Sequence, residues 1–219
     1  MVLKLIKCYF GVPGCGKSTI LVKEYLKNCK KYDHIYTINL QIEGVPMISK
    51  EDLEKYKFSN SLILWDEITM DADNREFKSF SKELRDQFIL HRHFCVDIIY
   101  ATQNFENVDK KVRDLTVELW YMSKSVIPIL STFTTCKRIY RKININEHTS
   151  ELTLGYRFCN FLESIFVSNL KVVFRPLYYS KFDTHDELSL KGRCPYELKA
   201  KNIYLGSDKS VINFLNEKC

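Results

Sequence analysis

The nine residues Gly11-Val12-Pro13-Gly14-Cys15-Gly16-Lys17-Ser18-Thr19 confine this chain to few folds. They fit the phosphate-loop pattern G-x-x-x-x-G-K-[S/T] and stand where such a loop must stand. The run from Leu3 to Phe10 before them is apolar and β-prone, and predicts a strand. After them Ile20, Leu21, Tyr25, Leu26 and Cys29 recur at helical spacing, with lysines on the other face. In a strand, turn and helix setting the glycines let backbone N–H groups wrap a triphosphate, and the helix N-terminus adds partial positive charge. The motif therefore predicts binding of ATP with Mg²⁺. Gly11, Pro13, Gly14, Cys15, Gly16, Lys17, Ser18 and Thr19 would form the cradle, Lys17 reaching the β- and γ-phosphates and the Ser18 hydroxyl ligating the metal. A chance glycine turn is the competing reading, and the flanking patterns argue against it.

With 219 residues, 45% of them hydrophobic, the chain can bury one full α/β core. A net charge of +6 permits a nucleic-acid partner without requiring one. The best candidate for a membrane span, Phe158 to Phe174, is interrupted by Glu163 and Lys171, and the N-terminus lacks a signal peptide's long apolar core. No transmembrane helix is expected. The eight cysteines include no C-x₂₋₄-C spacing, and one sits in the phosphate loop. That predicts reduced, mostly buried thiols in a cytosolic protein rather than a disulfide framework.

A second strand is expected at His34 to Asn39, then an irregular stretch from Gln41 to Asn60 containing a short polar helix that starts at Ser49 or Lys50. Ser61 to Glu67 is a continuous apolar run ending in two carboxylates, as in a strand buried on both faces. Asp71 or Asp73 would cap a helix carrying Phe77, Phe80, Leu84 and Phe88 and ending near His91-Arg92-His93. Val96 to Thr102 reads as another buried strand closed by Gln103. A short helix near Val108 to Arg113 and a strand at Val117 to Met122 follow. From Ile127 to Ile145 the loose alternation of Thr, Arg, Tyr and Ile suggests a hairpin or meander. The expected architecture is thus an α/β phosphate-loop NTPase with a mainly parallel sheet over residues 1–123, and a small C-terminal α+β elaboration, 124–219, packed on it.

Four apolar residues followed by Asp66-Glu67 match the second motif of ATP-hydrolysing phosphate-loop proteins. Asp66 would hold the Mg²⁺ shell through water, and Glu67 would polarise the attacking water as general base. A solvated strand end is the plainer explanation of such a pair by itself. Gln103, ending the next strand, is the candidate sensor of the γ-phosphate, against a strand-end amide that merely satisfies a turn. The extra strand points to the catalytic-glutamate type of phosphate-loop ATPase, with the sensor strand between the other two motif strands. Arg113, in Lys110-Lys111-Val112-Arg113-Asp114-Leu115, is a candidate arginine finger, with Arg92 and Arg75 as competitors and a solvated helix face as the alternative. His91 and His93 diverge by roughly 200° on a helix and so cannot share a metal. Lys137, Arg138, Arg141 and Lys142, interleaved with Tyr140, could track a DNA backbone with Tyr140 stacking on bases, or form a solvated strand face.

Together these motifs resemble the zonula occludens toxin-like (Zot) family, which includes the morphogenesis ATPases of filamentous phages. The similarity lies in Gly11 to Thr19, Leu62 to Glu67, Phe88 to His93 leading into Asp97 to Gln103, Val108 to Leu115, and a later Tyr178 to His185. The resemblance implies an FtsK–HerA-type motor, usually a ring of six. Its ATP hydrolysis would drive single-stranded phage DNA through assembly, extrusion or packaging with an inner-membrane assembly protein. Lys17, Ser18, Asp66, Glu67, Gln103 and Arg113 carry over in the roles given above. Family members commonly continue into a transmembrane helix and an extracytoplasmic tail. Without such a window the expectation is a cytoplasmic version or a truncated domain in the host cell, at most at the cytoplasmic face of the inner membrane. Two other readings stay open: a nucleotide-gated assembly scaffold, and a small-molecule kinase, against which the water-activating Asp66-Glu67 pair argues.

Overall fold

The computed structural model describes residues 5–70, 81–125, 131–145, 152–160, 163 and 169–183. Its sheet begins with β1 (Ile6–Gly11) at the centre, the phosphate-loop pattern following directly, then helix α1 (Lys17–Asn28). Next come β2 (His34–Ile38), a two-residue β3 (Gln41–Ile42), α2 (Lys50–Lys55), β4 (Ser61–Trp65), α3 (Lys82–Leu90), β5 (Asp97–Thr102), α4 (Lys110–Leu115) and β6 (Glu118–Lys124). The C-terminal part adds β7 (Phe133–Ile145), β8 (Leu152–Phe158), β9 (Leu170–Phe174), a 3₁₀ segment Arg175–Lys181 and β10 (Phe182–Asp183).

The strand order is β2-β4-β5-β1-β6-β7-β8, with β9 also on β7 and a separate β10-β3 pair. From β2 to β6 all neighbours are parallel, while β7 runs antiparallel to β6, β8 and β9. The sensor strand β5 lies between β4 and β1, as expected for the catalytic-glutamate type. Parallel neighbours bring the C-terminal ends of β1, β4 and β5 to one edge of the sheet, where ligands of open α/β folds bind.

Alternation along the strands fills two cores. Ile63 and Trp65 of β4, Ile98 and Tyr100 of β5, and Ile6 and Cys8 of β1 face α2, α3 and α4 through Leu53, Leu84, Phe88 and Val112. Leu62, Leu64, Ile99, Ala101 and Tyr9 face the other way, onto Ile20, Leu21 and Val22 of α1. Strands covered on both faces are apolar throughout for this reason, and every residue of β4 is buried. Helix α2 starts where read, Ser49 capping it in a reciprocal box with Asp52.

Several expectations need correcting. On α1 the inward face is Thr19, Ile20, Leu21, Val22 and Glu24, whereas Leu26 is 45% exposed and Cys29 is an exposed cap. Helix α3 carries Leu84 and Phe88 as read, but its described N-cap is Ser81, whose Oγ accepts from the Leu84 amide. Asp71, Asp73, Phe77 and Phe80 lie outside the described residues. Of the stretch read as a hairpin or meander, Ile127 to Ile145, the described part holds one thirteen-residue strand, β7, which pairs antiparallel with β6 before it and with β8 and β9 after it, as in a meander. The two-residue β3 within the supposedly irregular stretch pairs with β10. Six cysteines are described and all are free: Cys8, Cys15 and Cys136 buried, Cys159 half-buried, Cys29 and Cys95 exposed. Among the described residues no helix is long and apolar enough to cross a membrane.

The buried Glu24 is held by a cluster that ties β9 to the centre of the sheet. Tyr9 donates to its Oε1 at 2.5 Å, and Lys171 donates to the same oxygen at 3.2 Å and to the Tyr9 hydroxyl at 2.8 Å. Lys7 lies 3.5 Å from Glu24 and 3.4 Å from Glu118, and the Lys171 ammonium sits 4.0 Å over the Trp120 ring. Burial alone would raise the Glu24 pKa, but Lys7, Lys171 and the Tyr9 hydroxyl outweigh it and bring the value from 4.5 to about 2. A carboxyl depressed on folding stabilises fully above its unfolded pKa, and the contribution is lost as pH falls from 4.5 through 2. Glu24→Gln is therefore expected to cost about 3 kcal/mol at neutral pH, as when one partner of a buried pair is removed. The deficit should shrink toward pH 2 in urea midpoints measured across this range. An equal deficit at every pH would show that Glu24 acts only through packing.

Candidate nucleotide-binding site

Two glycines shape the loop for reasons visible in the backbone. Gly16 has φ +91°, and a Cβ there would stand 2.7 Å from Arg175 Cδ and 3.1 Å from Thr134 Oγ1. Gly11, at the end of β1, pairs with Met122 so closely that a Cβ would meet the Met122 carbonyl oxygen at 2.3 Å. Val12 O accepts from the Cys15 amide at 3.3 Å and closes the turn. Lys17 folds back over it, its Nζ 3.1 Å from Gly11 O and 3.5 Å from Val12 O. The Cys15 side chain is fully buried, and burial pushes its thiol pKa up, so it packs rather than reacts. Thr19 is buried in the first turn of α1.

Ser18 Oγ donates to Asp66 Oδ2 at 2.5 Å, joining the start of α1 to the end of β4. Desolvation at that strand end raises the Asp66 pKa against the Ser18 bond, neighbouring Glu67 adds to the rise, and Lys17 opposes it. Glu67 adopts a left-handed φ of +45°, uncommon outside glycine. Its Oε1 accepts from Thr69 Oγ1 at 2.7 Å, the Gln103 amide at 3.2 Å and Thr102 Oγ1 at 3.4 Å. Strained backbone held by surrounding bonds is typical of functional positions. Gln103 thus meets Glu67 through its backbone N–H, while its side chain is exposed.

The fold accordingly brings together Gly11 to Thr19, Asp66, Glu67 and Gln103. It does not bring Arg113 to them. That residue is on α4, its carbonyl accepting from Arg141 and its Nε buried without a partner among the described residues. Arg92 is exposed, and Arg75 lies outside the described residues. His91 is buried with Nδ1 2.6 Å from Phe88 O, whereas His93 is exposed.

The basic stretch Lys137 to Lys142 lies on the single strand β7 and is partly paired. Arg138 pairs with Glu118 at 3.7 Å, Arg141 donates to the Arg113 and Asp114 carbonyls, and Arg138 and Arg157 lie 5.2 and 5.1 Å from the Tyr140 ring centre. Guanidinium groups therefore already cover Tyr140, and only Lys137, Arg141 and Lys142 among the four cations are exposed. Missed altogether were Thr134 and Arg175, which touch the loop from β7 and from the end of β9. Neither carries a sequence signal, since the strand pairing alone brings them there.

A magnesium ion fits the donor set. Ser18 and Asp66 bring a hydroxyl and a carboxylate together. Among the described residues no group of three or more His, Cys, Asp or Glu could hold a metal ion by itself. A hard cation that keeps its waters and completes its shell with substrate phosphates suits such a sparse site.

The topology and the loop together define a phosphate-loop NTPase fold. More particularly, part of the chain is similar to a known family: the family model for zonular occludens toxin (Zot) matches residues 46–154, a span that starts after the phosphate loop and takes in Asp66, Glu67, Gln103 and Arg113. Three solved structures are similar. The N-terminal domain of zonular occludens toxin from Neisseria meningitidis matches at 15% identity and TM-score 0.49, covering 87% of this chain and 98% of that one. The genome packaging NTPase B204 of Sulfolobus turreted icosahedral virus 2, in complex with AMPPCP, matches at 11% identity and TM-score 0.45, covering 70% and 98%. The flagellar accessory protein FlaH of Methanocaldococcus jannaschii matches at 12% identity and TM-score 0.44, covering 71% and 89%. No curated protein matches the chain.

Proposed function

We propose that the chain is an ATP-hydrolysing motor for phage assembly or packaging, working as a ring, with six subunits the expectation, on single-stranded phage DNA at the host's inner membrane. The observation that carries the hydrolytic part is the Asp66-Glu67 pair, one carboxylate bonded to Ser18 beside the phosphate loop and the other held at the end of the sensor strand. The Zot match over residues 46–154 supports the biological setting. Lys17 and the loop amides bind and orient the triphosphate. Ser18 and Asp66 would hold Mg²⁺, which when bound neutralises charge on the β- and γ-phosphates. Glu67 takes the proton of the attacking water, and Gln103 orients that water with its side chain. Arg113 is the proposed finger toward a neighbouring subunit's nucleotide.

A second reading, a nucleotide-gated scaffold with little turnover, is favoured by one observation: Glu67 Oε1 already accepts from three donors. ATP hydrolysis measured with and without single-stranded DNA, alongside mass in solution with Mg-ATP, separates the two. DNA-stimulated turnover by an ATP-dependent oligomer is the expected result. An ATP-dependent oligomer without turnover would establish the scaffold and sink the motor. Turnover that needs a small phosphate acceptor would mean a kinase.

A further inference from the structure

The outer side of the phosphate loop is strapped by two residues that no nucleotide-binding motif includes. Thr134, fully buried at the start of β7, donates from Oγ1 to the Cys15 carbonyl at 2.6 Å. Arg175, just past β9, donates from Nη1 to the Gly14 carbonyl at 2.9 Å. The rest of its guanidinium is anchored on the segment leading into β7, Nε to Thr132 O at 3.4 Å and Nη2 to Ser131 O, with its own amide on Thr132 O at 3.1 Å. The fork therefore bridges the loop and the β7 approach, a task suited to a planar group with five donors.

We propose that Thr134 and Arg175 are positioning residues for the phosphate cradle. In a planar trans peptide the C=O and N–H point in opposite directions, and none of the described bonds is cis. Fixing the Cys15 carbonyl toward Thr134 aims the Gly16 N–H away from β7, to the concave side of the loop. Fixing the Gly14 carbonyl toward Arg175 aims the Cys15 N–H inward, where it meets Val12 O and closes the turn. Each carbonyl turned outward is one that cannot face the phosphates, where its partial negative charge would repel them. Gly16 is glycine partly because the strap lies against it: Arg175 Cδ and Thr134 Oγ1 occupy the space a Cβ would need. The C-terminal strands thus set the orientation of the loop's peptide planes before any ligand arrives, which is preorganisation of an anion site.

This inference rests on the phosphate-loop reading, and the test keeps the two apart. Affinity for ATP and for inorganic triphosphate, which engages only the cradle, is measured by calorimetry well below the melting temperature of every variant. Thr134→Val keeps the shape of the side chain but leaves the Cys15 carbonyl unsatisfied, and should weaken both ligands about tenfold, the worth of one buried hydrogen bond. Thr134→Ser restores the donor and should stay within about twofold of wild type. Arg175→Lys, which keeps the charge but cannot reach three carbonyls, should also lose about tenfold. In amide NMR the Gly16 resonance should shift on triphosphate binding in wild type and Thr134→Ser, and far less in Thr134→Val. Should Thr134→Val and Arg175→Lys bind like wild type while Lys17→Ala does not bind, the strap is structural only and the proposal is overturned. Failure of the wild type itself to bind either ligand would remove the phosphate site, and the strap's role with it.

Discussion

Lys17→Ala is expected to abolish measurable nucleotide binding while leaving the fold intact. The ammonium lies over the loop with its nitrogen on the Gly11 and Val12 carbonyls, so it is already within the cradle that phosphates would enter. Its truncation takes away the one side-chain charge of the motif facing a tetra-anionic ligand, while the amides that remain supply only partial charges. Losing one partner of a desolvated charge contact costs roughly 2–5 kcal/mol, or about thirty-fold to several thousand-fold in affinity. The Lys17 contacts are to loop carbonyls at the protein surface and carry none of the core, so the variant should melt near the wild type without ligand. Titration with a fluorescent ATP analogue checks this, and wild-type affinity in the variant would refute the site assignment.

Glu67→Gln should keep ATP and lose hydrolysis by about 10²- to 10⁴-fold, the usual worth of a general base. The substitution is informative because glutamine retains an oxygen acceptor at the position of Oε1. The bonds from Thr69, Thr102 and the Gln103 amide can therefore persist, and with them the left-handed backbone at this residue. What disappears is the ability to take a proton. Single-turnover hydrolysis in parallel with nucleotide affinity separates the two effects. Normal turnover would move the base elsewhere, with Asp71 the first residue to replace. A loss of affinity equal to the loss of rate would mean instead that Glu67 serves in binding.

Much of the parallel half of this fold is legible in its residues. The phosphate loop, the four apolar residues before Asp66-Glu67 and the Val96 to Thr102 run are all local patterns, and strands buried on both faces announce themselves as unbroken hydrophobic runs. The helix start read at Ser49 or Lys50 falls at Lys50 with Ser49 as its cap, a signal that is local because a capping box is complete within four residues. The failures come where the deciding partner is remote. Nothing local in the sequence marks Glu24 as buried; the partner that holds it there, Lys171, lies 147 positions later and arrives beside it with the Tyr9 hydroxyl. Leu26 looks like a core residue until the helix is seen turned to bury that carboxylate, which leaves Leu26 exposed. Arg138 and Tyr140 suggested a nucleic-acid surface because their composition does not reveal Glu118 on one side and Arg157 on the other. Thr134 and Arg175 were invisible for the same reason. The strand pairing of β7 with β9, not any spacing, brings them to the loop.

The position of β9 carries a consequence for dissecting this protein. A fragment stopped at residue 123, where the motif-bearing strands end, would contain every residue of the nucleotide motifs and yet not be a smaller version of the same fold. It would lose Lys171 and so leave Glu24 buried with one fewer cation. It would lose Thr134 and Arg175 and so free the Cys15 and Gly14 carbonyls. It would also strip β7 from the edge of β6, exposing a row of unpaired backbone groups that invites aggregation. A piece that keeps Thr134 and Arg175 on the loop must run at least through Arg175, so the residues that shape the loop reach well beyond the motifs themselves.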